Sequence, residues 1–295
     1  MIVSVASGKG GTGKTTVAAA LASVWNAPLD AMDLDVEAPN LHLFLNPKIK
    51  DCRIANIEIP VVDEARCTHC RMCSELCQFK AISDLGRILL IFPEMCHGCG
   101  GCITVCPEKA LKPGTRELGE ICWGHAGEQD FFMGRLRIGE AMSPPLMREV
   151  KSYRKKLRGR EDRDLIIDAP PGTSCPAINA VMDSDVICLV TEPTPFGLYD
   201  LKLAVEAFRP LGPPMGVVVN RDGIGNDAVL DFCSQEGLPV LTKIPFSRRL
   251  AEAYSDGRVI TQAAPELTPL FKDLAEKLRQ LSRASSPAKE ATSHA

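Results

Sequence analysis

Apolar residues along this chain gather in short runs that end in Gly, Asp or Pro: MIVSVAS, PLDAMDLD, RDLIIDAP, DVICLVTEP, MGVVVN and LPVLTKIP. Most are brief stretches of Val, Ile and Leu without strict polar alternation, as in strands buried on both faces of a parallel sheet. Segments with helical spacing, such as TTVAAALASVW and LYDLKLAVEAFR, lie between them. Strands alternating with helices predict an α/β fold built on a doubly wound, mostly parallel sheet.

The rhythm breaks between residues 62 and 114. The stretch CTHCRMCSELCQFKAI at 67–82 returns 29 residues later as CHGCGGCITVCPEKAL. Cys67 aligns with Cys96, Cys70 with Cys99, Cys73 with Cys102 and Cys77 with Cys106, and the match runs on through Lys80 with Lys109 and Ala81 with Ala110. This is an internal duplication of a small unit set into the α/β domain. The expected organisation is an α/β domain in two parts, 1–61 and 115–282, a small α+β insert at 62–114, and a disordered tail at 283–295, where RASSPAKEATSHA is small and polar. The segment 115–160 shows no clear period, and its basic run KSYRKKLRGR reads as a solvated helix face.

Composition narrows the partners. A net charge of −3 and 5% aromatic residues offer neither a basic footprint nor stacking platforms, so nucleic acid is not expected. No apolar run approaches the roughly eighteen residues of a membrane span, which argues against stable membrane insertion. The opening MIVSVASGKGG lacks the basic start and long apolar core of a secretory signal. A cytoplasmic protein is expected, and there thirteen clustered cysteines serve as metal ligands more readily than as disulfides.

Two motifs carry chemistry. Gly8-Lys9-Gly10-Gly11-Thr12-Gly13-Lys14-Thr15 fits G-x-x-x-x-G-K-[ST] between a strand and a helix. Glycines let the backbone N–H groups of such a loop face phosphates, and the helix N-terminus adds its positive end. Lys14 is expected at the β- and γ-phosphates of ATP, Thr15 on Mg²⁺ and Thr16 at the α-phosphate. The second motif, C-x2-C-x2-C-x3-C, occurs twice and is the bacterial ferredoxin ligand run, in which the fourth cysteine serves the other cluster. One [4Fe–4S] cluster is therefore expected on Cys67, Cys70, Cys73 and Cys106, and another on Cys96, Cys99, Cys102 and Cys77. Zinc draws well-separated ligand pairs and suits this spacing poorly. The second quartet ends in Cys106-Pro107 as the ferredoxin pattern does, whereas Cys77-Gln78 departs from it and raises the question of altered N–H bonding near one cluster. Of the remaining cysteines, Cys188 reads as core, while Cys52 and Cys233 have no evident partner.

KGGTGKTT, DVEAPNLHLFL, LIIDAPPGT, VTEPTPFGLYDLK and VVVNR, taken in order, resemble the deviant Walker A ATPases of the MinD/ParA/nitrogenase-iron-protein superfamily, here with an inserted ferredoxin domain. The resemblance implies that Lys9 crosses a dimer interface to the partner's phosphates, that Asp35 polarises the attacking water with Asp33 supporting the metal shell, and that Asp168 is the Walker B carboxylate on Mg²⁺. Gly172 then lets its loop approach the γ-phosphate. It also implies that Asn220 and Arg221 recognise adenine, and that the segment from Ile244, including Pro245, closes over the base. Cys175, just after the Walker B loop, resembles the position where the nitrogenase iron protein holds a cluster between subunits; a second ligand for such a site would be Cys122. Otherwise both are ordinary thiols.

The resemblance further implies an ATPase forming an ATP-dependent homodimer, or a heterodimer with a paralogue. Its two [4Fe–4S] clusters would serve a redox or metal-cofactor protein, of which the orange-protein system is one type. Three functional readings stand: ATP-gated electron transfer or metallocluster assembly; cluster delivery as in Mrp-type carriers; and MinD-like positioning with redox-sensing clusters. Mrp-type carriers use a labile Cys-x-x-Cys at the dimer seam, and this chain has none outside the two quartets. MinD-like positioning uses a C-terminal amphipathic helix, and Leu267, Leu270, Phe271, Leu274, Leu278 and Leu281 form such a stripe, although a helix docked on the sheet reads the same way.

Overall fold

The computed structural model describes residues 1–158 and 163–285. Five parallel strands predicted by the apolar runs form the centre: β1 (Ile2–Ala6), β2 (Leu29–Asp33) and, further along the chain, the strands at Asp164–Asp168, Val186–Thr191 and Met215–Asp222. Between β2 and these later strands the chain runs through β3 (Lys48–Val62), the short hairpin β4 (Ile82–Asp84) and β5 (Leu89–Ile91), then β6 (Leu111–Ala126) and β7 (Gln129–Leu136). The later strands are accordingly β8, β9 and β10, followed by β11 (Val240–Pro245). One nine-stranded sheet results, in the order β11-β10-β9-β1-β8-β2-β7-β6-β3. It is parallel from β11 to β7 and antiparallel at β6 and β3.

Helices cover both faces. They are α1 (Lys14–Val24), α2 (Leu41–Leu45), α3 (Met72–Leu76), α4 (Gly101–Val105), α5 (Ser143–Arg158), α6 (Cys175–Val181), α7 (Pro195–Phe208), α8 (Ala228–Gln235), α9 (Arg248–Ser255), α10 (Ile260–Ala263) and α11 (Thr268–Ser285). Residues of β1, β8 and β9 are buried almost throughout because both sheet faces are covered, which is why their sequences do not alternate. One apolar core lies under α5, α6, α7 and α8, and the other under α1 and α11. The apolar stripe of α11 is consumed in the second core: Phe271, Leu274 and Leu278 are fully buried, and Leu267, Leu270 and Leu281 pack beside them. No helix among the described residues is long and apolar enough to cross a membrane.

The segment that the sequence left unassigned holds most of β6, then β7 and α5. The expected solvated face on α5 holds for Lys155 and Lys156, which are exposed, but not for its other side: Tyr153 is buried, and Arg154 donates to the fully buried Asp30 at 2.7 Å, as Arg163 does to its other oxygen at 2.7 Å. Gly159 and Arg160, the end of that basic run, lie outside the described residues. The expected tail at 283–295 also shifts, since α11 continues to Ser285; residues 286–295 lie outside the described residues.

The cysteine-rich unit is not spliced into a loop. β3 and β6 pair in register from Lys48–His125 to Val62–Leu111. Fifteen residues of β3 make a ribbon of about 50 Å. One end of this ribbon is the edge of the nucleotide-side sheet, and the other carries residues 63–110. As the edge strand, β3 is lined with Lys48, Lys50, Asp51 and Arg53 and carries Pro60, features that discourage further strand pairing.

Candidate functional site

The parallel strands point their carboxyl ends to one side, where loops of an α/β sheet bind ligands. The phosphate loop follows β1, Asp33 ends β2, Asp168 ends β8, Glu192 follows β9, Asn220 and Arg221 lie near the end of β10, and Pro245 ends β11. A cavity of about 300 Å³ opens there. Of the residues expected at a nucleotide, Gly10, Gly11, Gly13, Lys14, Thr15, Thr16, Asp35, Asn220, Arg221 and Pro245 all line it. Phe246, Leu250 and Tyr254 add an apolar wall from α9 and the loop before it. Gly8, Thr12 and Gly172 do not line it. Gly8 passes so close to α7 that a Cβ would sit 2.0 Å from the Asp200 carbonyl oxygen. The Thr12 carbonyl accepts from Asn220 Nδ2 at 2.7 Å, fastening the loop to β10. Gly13 has φ +94°, and a Cβ there would lie 2.3 Å from the same Asn220 nitrogen, so only glycine fits.

Beneath the cavity, Thr15 Oγ1 donates to Asp168 Oδ2 at 2.6 Å, and Lys14 Nζ lies 3.8 Å from Asp168 Oδ1. Asp168 Oδ1 is buried without a hydrogen-bond partner, an acceptor left over beside the Thr15 hydroxyl. A hydroxyl and a buried carboxylate beside a phosphate loop are the donor set that Mg²⁺ takes with nucleotide phosphates. Asp33 is placed differently from a metal ligand. Its Oδ1 accepts from Asp35 N at 3.0 Å and its Oδ2 from Asn40 N and Leu41 N, both at 2.9 Å, so it holds the loop carrying Asp35 and the start of α2. Burial, with the Asp168 charge, raises Asp33 well above the usual carboxylate range against those N–H bonds. Burial also raises Asp168, opposed by Lys14 and Thr15. Asp35 stands at about 6, raised by burial, lowered by Lys14 and raised again by Asp168.

Lys9 points away from the cavity. Its Nζ donates to Glu192 Oε1 at 2.7 Å, and Arg221 Nη1 donates to Glu192 Oε2 at 2.9 Å. Burial pushes Glu192 up, but Lys9, Arg221 and Thr194 together bring its carboxyl below the ordinary value. The sequence reading missed Glu192, although it ends an apolar strand just as Asp168 does.

In the insert each quartet converges as its spacing predicts. Cys67, Cys70, Cys73 and Cys106 line one cavity; Cys77, Cys96, Cys99 and Cys102 line another. The duplication extends to the backbone. His69 and Gly98, Arg71 and Gly100, and Lys80 and Lys109 are related by the same offset, and all six have positive φ. The first loop keeps two non-glycine residues in this conformation, at about 1–2 kcal/mol each, and Asp84 grips both, accepting from His69 Nδ1 at 2.9 Å and from Arg71 Nε at 3.3 Å. The Gln78 departure leaves sulfur bonding unchanged: Ala81 N donates to Cys77 Sγ and Ala110 N to Cys106 Sγ, each at 3.3 Å. Glu58, Ile59 and Pro60 of β3 wall the second cavity, and a Cβ on Gly98, with φ +65°, would strike Ile57.

The other cysteines depart from expectation. Cys52 and Cys122 face each other across β3 and β6 and form a disulfide, so Cys52 does have a partner. Cys122 is thereby committed within its own ribbon, while Cys175 stands exposed at the start of α6. The register of the antiparallel ribbon, which the sequence reading did not find, is the cause. Cys188 is core, and burial pushes its thiol up to about 12; Cys233 is buried and pushed up to about 11.

This fold and loop define a P-loop nucleotide-binding protein. Residues 3–260 match the CbiA family, the CobQ/CobB/MinD/ParA nucleotide binding domain, and the chain belongs to that family of P-loop ATPases. Two uncharacterized proteins of Methanocaldococcus jannaschii, MJ0578 and MJ0579, are each 29% identical; the first match covers 95% of this chain and 97% of that protein, the second 87% and 90%. The cell-division ATPase MinD of Pyrococcus furiosus superposes with a TM-score of 0.58 at 24% identity, over 95% of this chain and 98% of that one. Over 64 residues, 21% of this chain and 65% of the relative, it is 36% identical to the pyruvate synthase subunit PorD of Thermotoga maritima. Over 155 residues, 47% of this chain and 43% of the relative, it is 27% identical to the iron-sulfur cluster carrier protein of Aquifex aeolicus.

Proposed function

We propose that the chain is an ATP-hydrolysing iron–sulfur protein in which nucleotide-dependent dimerisation gates electron transfer or metallocluster assembly through two [4Fe–4S] clusters. The observation that carries this reading is the ribbon. The strand that walls the second cysteine cavity is the same strand that edges the nucleotide-side sheet. The all-thiolate quartets suit cubane clusters, with Cys67, Cys70, Cys73 and Cys106 holding one and Cys77, Cys96, Cys99 and Cys102 the other; bound there, each supplies one-electron redox chemistry. Ala81 and Ala110 donate N–H bonds to ligand sulfurs, and such bonds set cluster potential.

At the nucleotide, Lys14 and the loop N–H groups hold phosphate, Thr15 and Asp168 hold Mg²⁺, and Asp35 orients the attacking water once ionised. Lys9 must leave Glu192 before it can reach a partner subunit, homologous or paralogous, so Glu192 holds the resting position. The partner would be a redox or metal-cofactor protein. The cluster-carrier reading rests on the Aquifex relative and lacks the seam Cys-x-x-Cys; the positioning reading loses its membrane helix to the second core. The test is ATP hydrolysis by anaerobically prepared protein with clusters oxidised and then dithionite-reduced, Lys14→Ala serving as the blank. A rate or nucleotide affinity that shifts with cluster oxidation state supports gating, and identical values in both states overturn it.

A further inference from the structure

Among the described residues, outside the quartets and the nucleotide cavity, one cluster of ligating side chains stands on its own. Cys52 and Cys122 are cross-strand neighbours, and Glu120 follows the pleat of β6 two residues before Cys122, on the same face. Their sulfurs and a Glu120 oxygen all lie within 4.8 Å of one another. A cavity of about 410 Å³ opens beside them, lined also by His42, Met133 and Arg135. Arg135 Nη1 donates to Glu120 Oε1 at 2.9 Å, which orients the carboxylate and offsets part of the local negative charge. His42 comes from α2, and its Nδ1 is buried without a hydrogen-bond partner.

We propose that Cys52, Cys122 and Glu120 form a redox-gated site for a thiophilic divalent cation of the Zn²⁺ class, separate from the ferredoxin-type quartets, with His42, on the same cavity but outside that 4.8 Å grouping, as the candidate fourth ligand. Three features favour a cation over a permanent crosslink. A carboxylate stands at coordination range of both sulfurs, which a disulfide does not use. The cavity gives the ion a way in. Conditions that keep the other eleven cysteines free also reduce an accessible disulfide. A dithiol delivers two electrons and two protons to the S–S bond, giving two thiols while the dithiol closes to its own disulfide. The cation then displaces both thiol protons and draws the sulfurs to the roughly 3.8 Å spacing of a tetrahedral shell with arms of about 2.3 Å. An azo oxidant of the diamide class, taking two electrons from the paired thiolates and two protons from solvent to become a hydrazine, re-forms the S–S bond and releases the cation.

The test uses the cluster-loaded full chain, prepared anaerobically with a phosphine reductant, equilibrated with micromolar Zn²⁺ and then passed into zinc-free buffer. Zinc and iron are counted together by elemental analysis, and thiols by alkylation and mass spectrometry. The expected result is about one zinc per chain, falling at least tenfold in Cys52→Ser and in Cys122→Ser, with iron content and nucleotide binding unchanged as the control for folding. Zinc-edge absorption should show about two sulfur neighbours near 2.3 Å with lighter ligands completing the shell, and diamide should release the ion. Three results would overturn the proposal: no zinc retained by the reduced chain, including the case in which the pair stays oxidised under the reductant; equal zinc in the serine variants; or a shell of four sulfurs, which would place the ion in a quartet.

Discussion

The nucleotide body encloses two continuous apolar cores, one on each face of its sheet, whereas the insert's core is one small cluster of Cys73, Ile82, Leu89 and Leu111, with Ala81, Cys96 and Ala110 buried outside that cluster. Cys67, Cys102 and Cys106 pack against it, and its only strands among the described residues are a hairpin of three residues each. A body of that size stabilises itself by burial, while a unit of about fifty residues with so small a core needs a staple. The comparison makes the proposed cluster binding in the insert a folding event as much as a functional one, and ligand sites in the body additions to a frame that stands without them.

Stripping the iron with a chelator breaks the comparison most sharply. Residues 63–110 should lose nearly all amide-exchange protection, while β1, β8 and β9 keep theirs; exchange read by mass spectrometry decides, and an insert still protected without iron would show that its own packing suffices. Next is Lys14→Ala, which should lower ATP hydrolysis at least about a hundredfold and leave iron content and visible absorption untouched. Glu192→Gln removes one charge-assisted partner of Lys9, an interaction of about 1.5–3 kcal/mol. Sedimentation with ATP should show dimerisation strengthened about tenfold if Glu192 only holds the resting state; weakened dimerisation would place Glu192 in the closed state instead.

The fourth prediction is one of pH. Asp35 stands at about 6, so hydrolysis should fall as pH drops through about 6 and the carboxylate takes up a proton. The sign for stability is opposite. A carboxyl whose folded pKa is raised binds its proton more tightly when folded, so its stabilising share is complete below about pH 4 and lost as pH rises through about 6. Asp35→Asn should flatten that slope in thermal melts of the nucleotide-free protein. Smallest of all, Gln78→Pro should leave both reduction potentials where they are, because Ala81 already makes the bond to Cys77 that Ala110 makes to Cys106.

The parallel strands, the phosphate loop and both quartets were legible because each depends on near neighbours: buried strands show as apolar runs, phosphate loops as spaced glycines, and quartets as fixed intervals. Asp35, Asn220 and Pro245 were found through resemblance, and the cavity they share assembles at the carboxyl ends of strands far apart in sequence. The antiparallel half of the sheet stayed hidden because β3 alternates weakly along a mostly exposed edge and β6, inside it, mixes buried and part-buried positions without a clean period, with register shifts after Ile49 and after Ala55. The Asp30 clasp on Arg154 and Arg163 was hidden too, since a basic run looks the same whether solvated or paired.

By itself, the sequence determined that the chain carries a phosphate loop and two cysteine quartets, and which cysteines share each cavity, because local spacing limits what a short loop can hold. Only the tertiary structure decided that Asp33 fastens a loop, that Lys9 rests on Glu192, that Cys52 meets Cys122, and that one ribbon joins the nucleotide sheet to the cysteine cavities. Those are partnerships across long separations, set by strand register and crossover, and no local pattern encodes which distant residue arrives opposite.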